Sequence, residues 1–159
     1  MSNLQRAIPV LIRHAAPQVL LLVGVSTAVV AAAQRPQVAT CAVTAAVEAE
    51  GPADPGADFS GRAPWFISAD RSIRAGADGG RWRAGEQGNK VMWIRPQGAS
   101  LSVSGRRIDV EGAAPLRAHL PCCYRTGFQA SRLYFPSPGC WEITARSGRS
   151  ELRFVARVS

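Results

Sequence analysis

Lysine is almost absent from this 159-residue sequence: Lys90 is the only one, although arginine and lysine together number 19. Histidine is nearly as rare, with two residues in all. The sequence has no Gly-x-Ser-x-Gly turn and no glycine-rich phosphate loop, and no stretch after residue 34 keeps a helical period for three turns. These absences argue against a serine hydrolase, a nucleotide-binding domain and a helical bundle.

Carboxylates are also few, with 11 aspartate and glutamate residues. Asp109 and Glu111 share one face of a predicted strand, which favours a solvated edge over the two facing carboxylates of a glycosidase. Asp70 and Asp78 do not match the spacing of a calcium loop. We therefore expect no enzymatic activity and no cofactor.

Residues 1–33 have the pattern of an export signal. Arg6 and Arg13 supply a positive start, and an uncharged apolar run follows at residues 19–33. The run ends in small residues of the kind that signal peptidase requires, which predicts cleavage after Ala33.

Two alternatives to cleavage remain open. Residues 15–33 form a 19-residue stretch that is long enough for an uncleaved membrane anchor. Cys41 follows small residues, as the lipidated cysteine of a bacterial lipoprotein does. All three outcomes place the rest of the chain outside the cytoplasm, whether in the periplasm, in the medium or at the outer face of the membrane, where disulfides form.

Composition divides the remainder into a spacer and a domain. Residues 34–61 end in a segment rich in proline, glycine and aspartate, which predicts a flexible spacer. Residues 62–159 carry 16 basic and 7 acidic side chains. This predicted domain is therefore strongly basic.

From Pro64 onward the apolar period is two, and turns rich in glycine and proline recur. The pattern predicts a β-sandwich of about seven strands. Val91, Trp93 and Arg95 alternate with Met92 and Ile94. Residues 127–136 alternate less regularly near Arg132, which predicts a β-bulge there.

The clearest element is a C-terminal hairpin. Trp141, Ile143 and Ala145 share one face, a turn is predicted at residues 147–150, and a second alternating strand follows.

This hairpin, "FPSPGCWEITARSGRSELRFVARV", resembles the last two strands of bacterial immunoglobulin-like domains. Together with "NKVMWIRP" and "GRRIDV", it is similar to a set of exported bacterial proteins that carry such a domain and have no assigned activity. The resemblance covers residues 64–158 and implies an immunoglobulin-like fold. It implies no catalytic residues.

The four cysteines predict structural disulfides. The adjacent pair points to opposite faces if extended, so each member reaches a different partner. We expect Cys140 to pair with Cys122 or Cys123, and the other member of the adjacent pair to hold Cys41. A strained Cys122–Cys123 bond that acts as a redox switch is the alternative.

A metal site is a further alternative for the same region. His119, Cys122 and Cys123, with Met92, would offer soft ligands to copper or zinc. No second histidine completes the set after the leader, and a third ligand from the next residue along the chain would point away.

The predicted loop at residues 74–90 is the best candidate for recognition. It presents Arg81, Trp82 and Arg83, and an aromatic ring between two cations suits an anionic glycan, a lipid headgroup or a polyphosphate. The competing interpretation is that Trp82 folds back over the end of the sandwich and the arginines are merely solvated.

The sequence thus predicts an exported, non-catalytic binding module of the cell envelope. Its partner would be an anionic envelope polymer, a lipid surface or another exported protein, and not a nucleic acid. Alternatives are a redox or metal-binding protein centred on Cys122 and Cys123, and an inhibitor-like or chaperone-like protein that pairs through an edge strand.

Overall fold

A computed structural model describes residues 40–51, 62–77, 80–122 and 124–159 of the chain. These residues form no α-helix, and they include no helix that is long and apolar enough to cross a membrane. The predicted export signal lies outside the described residues. The described strands, in chain order, are β1 (Val47–Glu50), β2 (Arg62–Ile67), β3 (Arg74–Ala77), β4 (Asn89–Ile94), β5 (Leu101–Arg107), β6 (Arg117–His119), β7 (Phe128–Tyr134), β8 (Gly139–Ser147) and β9 (Ser150–Val158).

The strands form two sheets, and every pair of neighbouring strands is antiparallel. A six-stranded sheet has the order β1-β2-β3-β4-β7-β6, and a three-stranded sheet has the order β5-β8-β9. The all-β prediction for the domain is therefore confirmed in the part of the chain that the structure describes.

One hydrophobic core draws on both sheets. Val91, Trp93 and Leu133 enter it from the six-stranded sheet, and Trp141 and Phe154 enter it from the three-stranded sheet. Because alternate residues of each strand point into this core, the other face of each sheet is left for polar and charged side chains.

The C-terminal hairpin has the predicted form. Strands β8 and β9 pair along their whole length, from Gly139 opposite Val158 to Ser147 opposite Ser150. Trp141, Ile143 and Ala145 are fully buried, as their spacing predicts.

The predicted bulge near Arg132 is wrong. Strand β7 pairs with β4 without interruption, from Asn89 opposite Leu133 to Ile94 opposite Phe128. The polar residues Gln129 and Ser131 face inward and make buried hydrogen bonds, so the alternation of side chains is regular although the alternation of polarity is not.

Strands β1 and β3 lie in segments that we predicted to be a spacer and a loop. The sequence of β3, Arg-Ala-Gly-Ala, does not alternate large apolar with polar side chains, so it gives no strand signal. Its Gly76 lies against the ring of Trp65. A Cβ atom at Gly76 would lie 3.0 Å from Cζ3 of Trp65, so the close packing depends on a residue without a side chain. Residues 40–51 of the predicted spacer include β1, which pairs with β2.

Candidate functional site

Trp82 of the predicted recognition loop lies inside the protein. Its side chain is 5% exposed, and its ring centroid lies 5.7 Å from that of Phe135 and 5.8 Å from that of Phe154. The ring is therefore part of the core and does not offer a stacking surface to a ligand.

Backbone contacts fix the segment on either side of Trp82. The N–H of Ser159 donates to the carbonyl of Trp82 at 3.0 Å, and the N–H of Ala84 donates to the carbonyl of Ser159 at 2.9 Å. The N–H of Gly85 donates to the carbonyl of Phe135 at 2.9 Å. These bonds, with the buried ring, hold Arg81 and Arg83 at defined positions beside the end of the core.

A cavity of about 620 Å³ opens beside these arginines. Three cationic side chains line it, Arg81, Arg83 and Lys90, together with one carboxylate, Glu86. Within the part of the chain that the structure describes, no carboxylate oxygen lies within 4.0 Å of the three cationic groups. The cavity therefore has a positive balance that no ion pair among the described residues neutralises.

Asn89 ties the loop to the sheet at this cavity. Its Oδ1 accepts a hydrogen bond from the N–H of Arg83 at 2.8 Å, and its Nδ2 donates to the carbonyl of Arg83 at 2.8 Å. The same Nδ2 donates to the carbonyl of Leu133 at 3.1 Å. A single amide thus fixes the backbone of Arg83 relative to β4 and β7.

The positive charge continues across the outer face of the six-stranded sheet. Lys90 lies opposite Arg132, and Arg132 lies opposite His119 on the next strand. All three are exposed. Lys90, Arg132 and His119 form a basic row, in which the cationic side chains of Lys90 and Arg132 lie directly opposite each other, an arrangement that destabilises a sheet.

Gly88, at the edge of the cavity, has φ +64°, which favours glycine. A Cβ atom there would lie 2.7 Å from Cε1 of Tyr134. The guanidinium carbon of Arg117 lies over the same ring, 4.7 Å from its centroid. The ring thus holds Arg117 next to the basic row.

Several arginines of the three-stranded sheet form ion pairs with glutamates. On its outer face Arg106 binds Glu142 at 2.9 Å, and Arg146 and Arg153 bind Glu151 at 2.7 and 3.1 Å. Arg149 and Arg157, which are exposed on the same hairpin, have no carboxylate partner among the described residues. Three arginines of this sheet are thus paired with carboxylates, whereas the three cations of the cavity on the other sheet are not paired within the described residues.

The expected disulfide pairing is wrong. Cys41 pairs with Cys140, with their Cα atoms 5.6 Å apart, so Cys140 does not bind the adjacent pair. Cys122 is also disulfide-bonded, and Cys123 lies outside the described residues. The Cys41–Cys140 bond joins part of the predicted spacer to β8, and a disulfide of this kind is compatible with an oxidising compartment.

The described residues cover the proposed metal ligands only in part, because Cys123 lies outside them. No group of three or more histidine, cysteine, aspartate or glutamate side chains there comes close enough to hold a metal ion. His119 is an exposed residue of β6, and Met92 lies opposite Ala130, away from His119 in the sheet.

Asp109 and Glu111 do not form a carboxylate pair. Oδ1 of Asp109 accepts a hydrogen bond from Nε of Arg107 at 2.7 Å, and this bond holds the pKa of Asp109 below its usual value. Glu111 is exposed. The pairing of Asp109 with Arg107 is structural.

The sequence patterns pointed to Arg81 and Arg83 but did not place Lys90, Arg132 and His119 beside them. The alternation of side chains in their strands places Lys90 and Arg132 on the outer face of the sheet, and this was the signal in the sequence that could have identified them. Their adjacency required the strand order β4-β7-β6, which joins strands distant in sequence.

No protein-family model, no curated protein and no solved structure matches this chain.

Proposed function

We propose that this protein is a non-catalytic binding module that holds an anionic component of the cell envelope at its basic cavity. The component would be an anionic polymer, a lipid surface or another exported protein with an acidic face. Arg81, Arg83 and Lys90 make the primary contacts, and Arg132 with His119 extends the surface across the sheet.

The observation that carries this proposal is that three arginines of the three-stranded sheet form ion pairs within the described part of the chain, whereas the cations of the basic cavity do not. Arg106, Arg146 and Arg153 on the three-stranded sheet have glutamate partners, whereas the three cations of the cavity have none among the described residues. Unpaired cations around a concave surface attract and concentrate anions, and this attraction weakens with added salt.

We propose further that the two sheets form an immunoglobulin-like sandwich and that residues 1–33 export it. Two antiparallel sheets around one core support the first statement. The Cys41–Cys140 disulfide supports the second. A rigid, disulfide-bonded β-domain with a charged concave site suits binding rather than catalysis.

The test is binding of the purified full chain to phosphatidylglycerol vesicles and to polyphosphate at low salt, with phosphatidylcholine vesicles as the neutral reference. The site variant carries Arg81→Gln, Arg83→Gln and Lys90→Gln. Since each cation near an anionic surface contributes about 1 kcal/mol, we expect this variant to bind roughly 100-fold more weakly.

A matched control removes the same number of charges from the other sheet, with Arg106→Gln, Arg146→Gln and Arg153→Gln. Its affinity should stay within about threefold of the wild type, because these side chains are already neutralised. Equal losses in both variants would show that net charge alone drives binding, and no binding to any anionic surface would remove the proposal altogether.

A further inference from the structure

A buried arginine follows strand β4 on its inward face. Arg95 continues the alternation of Val91 and Trp93, and its side chain is 6% exposed. Arginine is seldom buried to this degree without an anionic partner, because removing its charge from water is costly.

The partners of Arg95 among the described residues are all neutral. Its Nε donates to Oε1 of Gln129 at 3.0 Å, its Nη1 donates to the carbonyl of Pro96 at 3.2 Å, and its Nη2 donates to the carbonyl of Tyr124 at 3.1 Å. A guanidinium group has five N–H donors, so one donor on each terminal nitrogen has no acceptor among the described residues. No carboxylate oxygen in those residues lies within 4.0 Å of the group.

Hydrogen bonds of Gln129 and Arg95 fix both side chains relative to the neighbouring backbone. Oε1 of Gln129 accepts from Arg95, while its Nε2 donates to the carbonyl of Pro121 at 2.8 Å. The backbone N–H of Arg95 donates to the carbonyl of Gly127 at 2.9 Å. The position of the guanidinium is therefore fixed before any ligand arrives, which reduces the entropic cost of binding.

Arg95 and Gln129 line a cavity of about 310 Å³. Leu101 and Leu120 contribute apolar surface to the same cavity, and the space above Gly98 is open, with no heavy atom within 4 Å of where its Cβ would be. The cavity thus combines one fixed cation with an apolar wall, and its volume is at the lower end for small-molecule sites.

We propose that this cavity binds a small monocarboxylate with a short aliphatic tail. The carboxylate accepts hydrogen bonds from the N–H groups of Arg95 that have no acceptor among the described residues, and the tail lies against Leu101 and Leu120. Arg95 is the only cationic side chain among the described residues that line the cavity, so a ligand with one negative charge suits the site better than a dianionic phosphate.

This site is independent of the basic cavity. Asn89 begins β4 beside the basic cavity and Arg95 follows its other end, so the two sites are about 20 Å apart at about 3.3 Å per residue. The failure of either proposal therefore leaves the other untouched.

The experiment compares butyrate with butyramide, which has nearly the same shape and no charge, by calorimetric titration of the purified full chain. Inorganic phosphate is titrated in parallel. We expect saturable 1:1 binding of butyrate and at least roughly tenfold weaker binding of butyramide and phosphate, because only butyrate places one negative charge on Arg95. In amide spectra the shifts on adding butyrate should centre on Leu101, Leu120 and Tyr124.

Three variants locate the site. Arg95→Met removes the cation, and Leu120→Trp fills the cavity while leaving Arg95 in place, so each should weaken butyrate binding at least roughly tenfold. Arg157→Met removes an exposed charge from β9 and should leave the affinity within about twofold. If Arg95→Met does not fold, Leu120→Trp and the butyramide comparison still decide.

Equal affinities for butyrate and butyramide, no saturable binding of butyrate, or shifts centred on Arg81 and Lys90 would each overturn the proposal. The last result would assign the anion to the basic cavity and leave the proposed function standing.

Discussion

The hydroxyl of Ser150 donates a 2.6 Å hydrogen bond to Oδ2 of Asp70, a residue 80 positions earlier in the chain. Asp70 lies in the turn between β2 and β3, and Ser150 begins β9, so the bond joins the two sheets at one end of the core. Oδ1 of Asp70 accepts two more hydrogen bonds, from the hydroxyl of Ser68 at 2.6 Å and the N–H of Ser72 at 3.1 Å.

These bonds lower the pKa of Asp70 from 3.8 to about 2, with the hydroxyls of Ser150 and Ser68 as the main causes. Because the folded state favours the carboxylate, its stabilising effect is complete above about pH 4 and is lost as the pH falls toward 2. We expect the free energy of unfolding to decline more steeply over this range in the wild type than in Asp70→Asn, measured by urea denaturation at several pH values.

Asp109 and Glu151 also have lowered pKa values, through hydrogen bonds from Arg107 and Arg146. Some acid destabilisation should therefore persist in Asp70→Asn. Ser150→Ala serves as the second variant and should show an intermediate slope. Identical pH dependence in all three proteins would contradict the assignment.

The Cys41–Cys140 disulfide closes a loop with a sequence separation of 99. Cross-linking a loop of this length restricts the unfolded chain strongly, and loss of a native disulfide typically costs about 2–5 kcal/mol. We expect the double variant Cys41→Ser and Cys140→Ala to lose a free energy of unfolding in this range, as measured by urea denaturation.

The same variant should loosen the segment that follows Cys41. The N–H of Thr44 donates to the carbonyl of Val155 at 2.9 Å, and Oγ1 of Thr44 accepts from the N–H of Val155 at 2.9 Å. Hydrogen exchange at Thr44 should accelerate more than exchange at Ile143, which lies in the fully buried centre of β8. An unchanged unfolding free energy, with Thr44 still protected, would refute the structural role of the bond.

Trp82 is expected to act through stability rather than through ligand contact. Replacement of a buried tryptophan by alanine costs about 3–5 kcal/mol, so Trp82→Ala should lower the free energy of unfolding by this amount. Trp82→Phe should cost less, since it keeps an aromatic ring near Phe135 and Phe154.

Arg81→Ala is the matched control for that experiment. It removes an exposed neighbour and should change stability by no more than about 0.5 kcal/mol while weakening anion binding. If Trp82→Ala were as stable as the wild type, the ring would not be part of the core.

Local patterns determined most of the strands. The alternation of Trp141, Ile143 and Ala145 predicted β8, whereas the strand with Val91, Trp93 and Arg95 is apolar on both faces in its middle, and the inward position of Arg95 came from the structure. Such periods report burial directly, because a strand turns successive side chains to opposite faces. The bulge near Arg132 was wrong since Gln129 and Ser131 are polar yet inward, each satisfied by a partner from β4 or the residue after it.

The sequence by itself determined that the chain is β-rich, basic in its larger part, and hydrophobic along one face of each main strand. Only the tertiary structure decided that Cys41 meets Cys140, that Trp82 belongs to the core, and that Lys90, Arg132 and His119 stand in one row. The physical reason is that period and composition are local properties, whereas disulfide partners and cross-strand neighbours depend on strand order. Strand order is set by how the two sheets share one core.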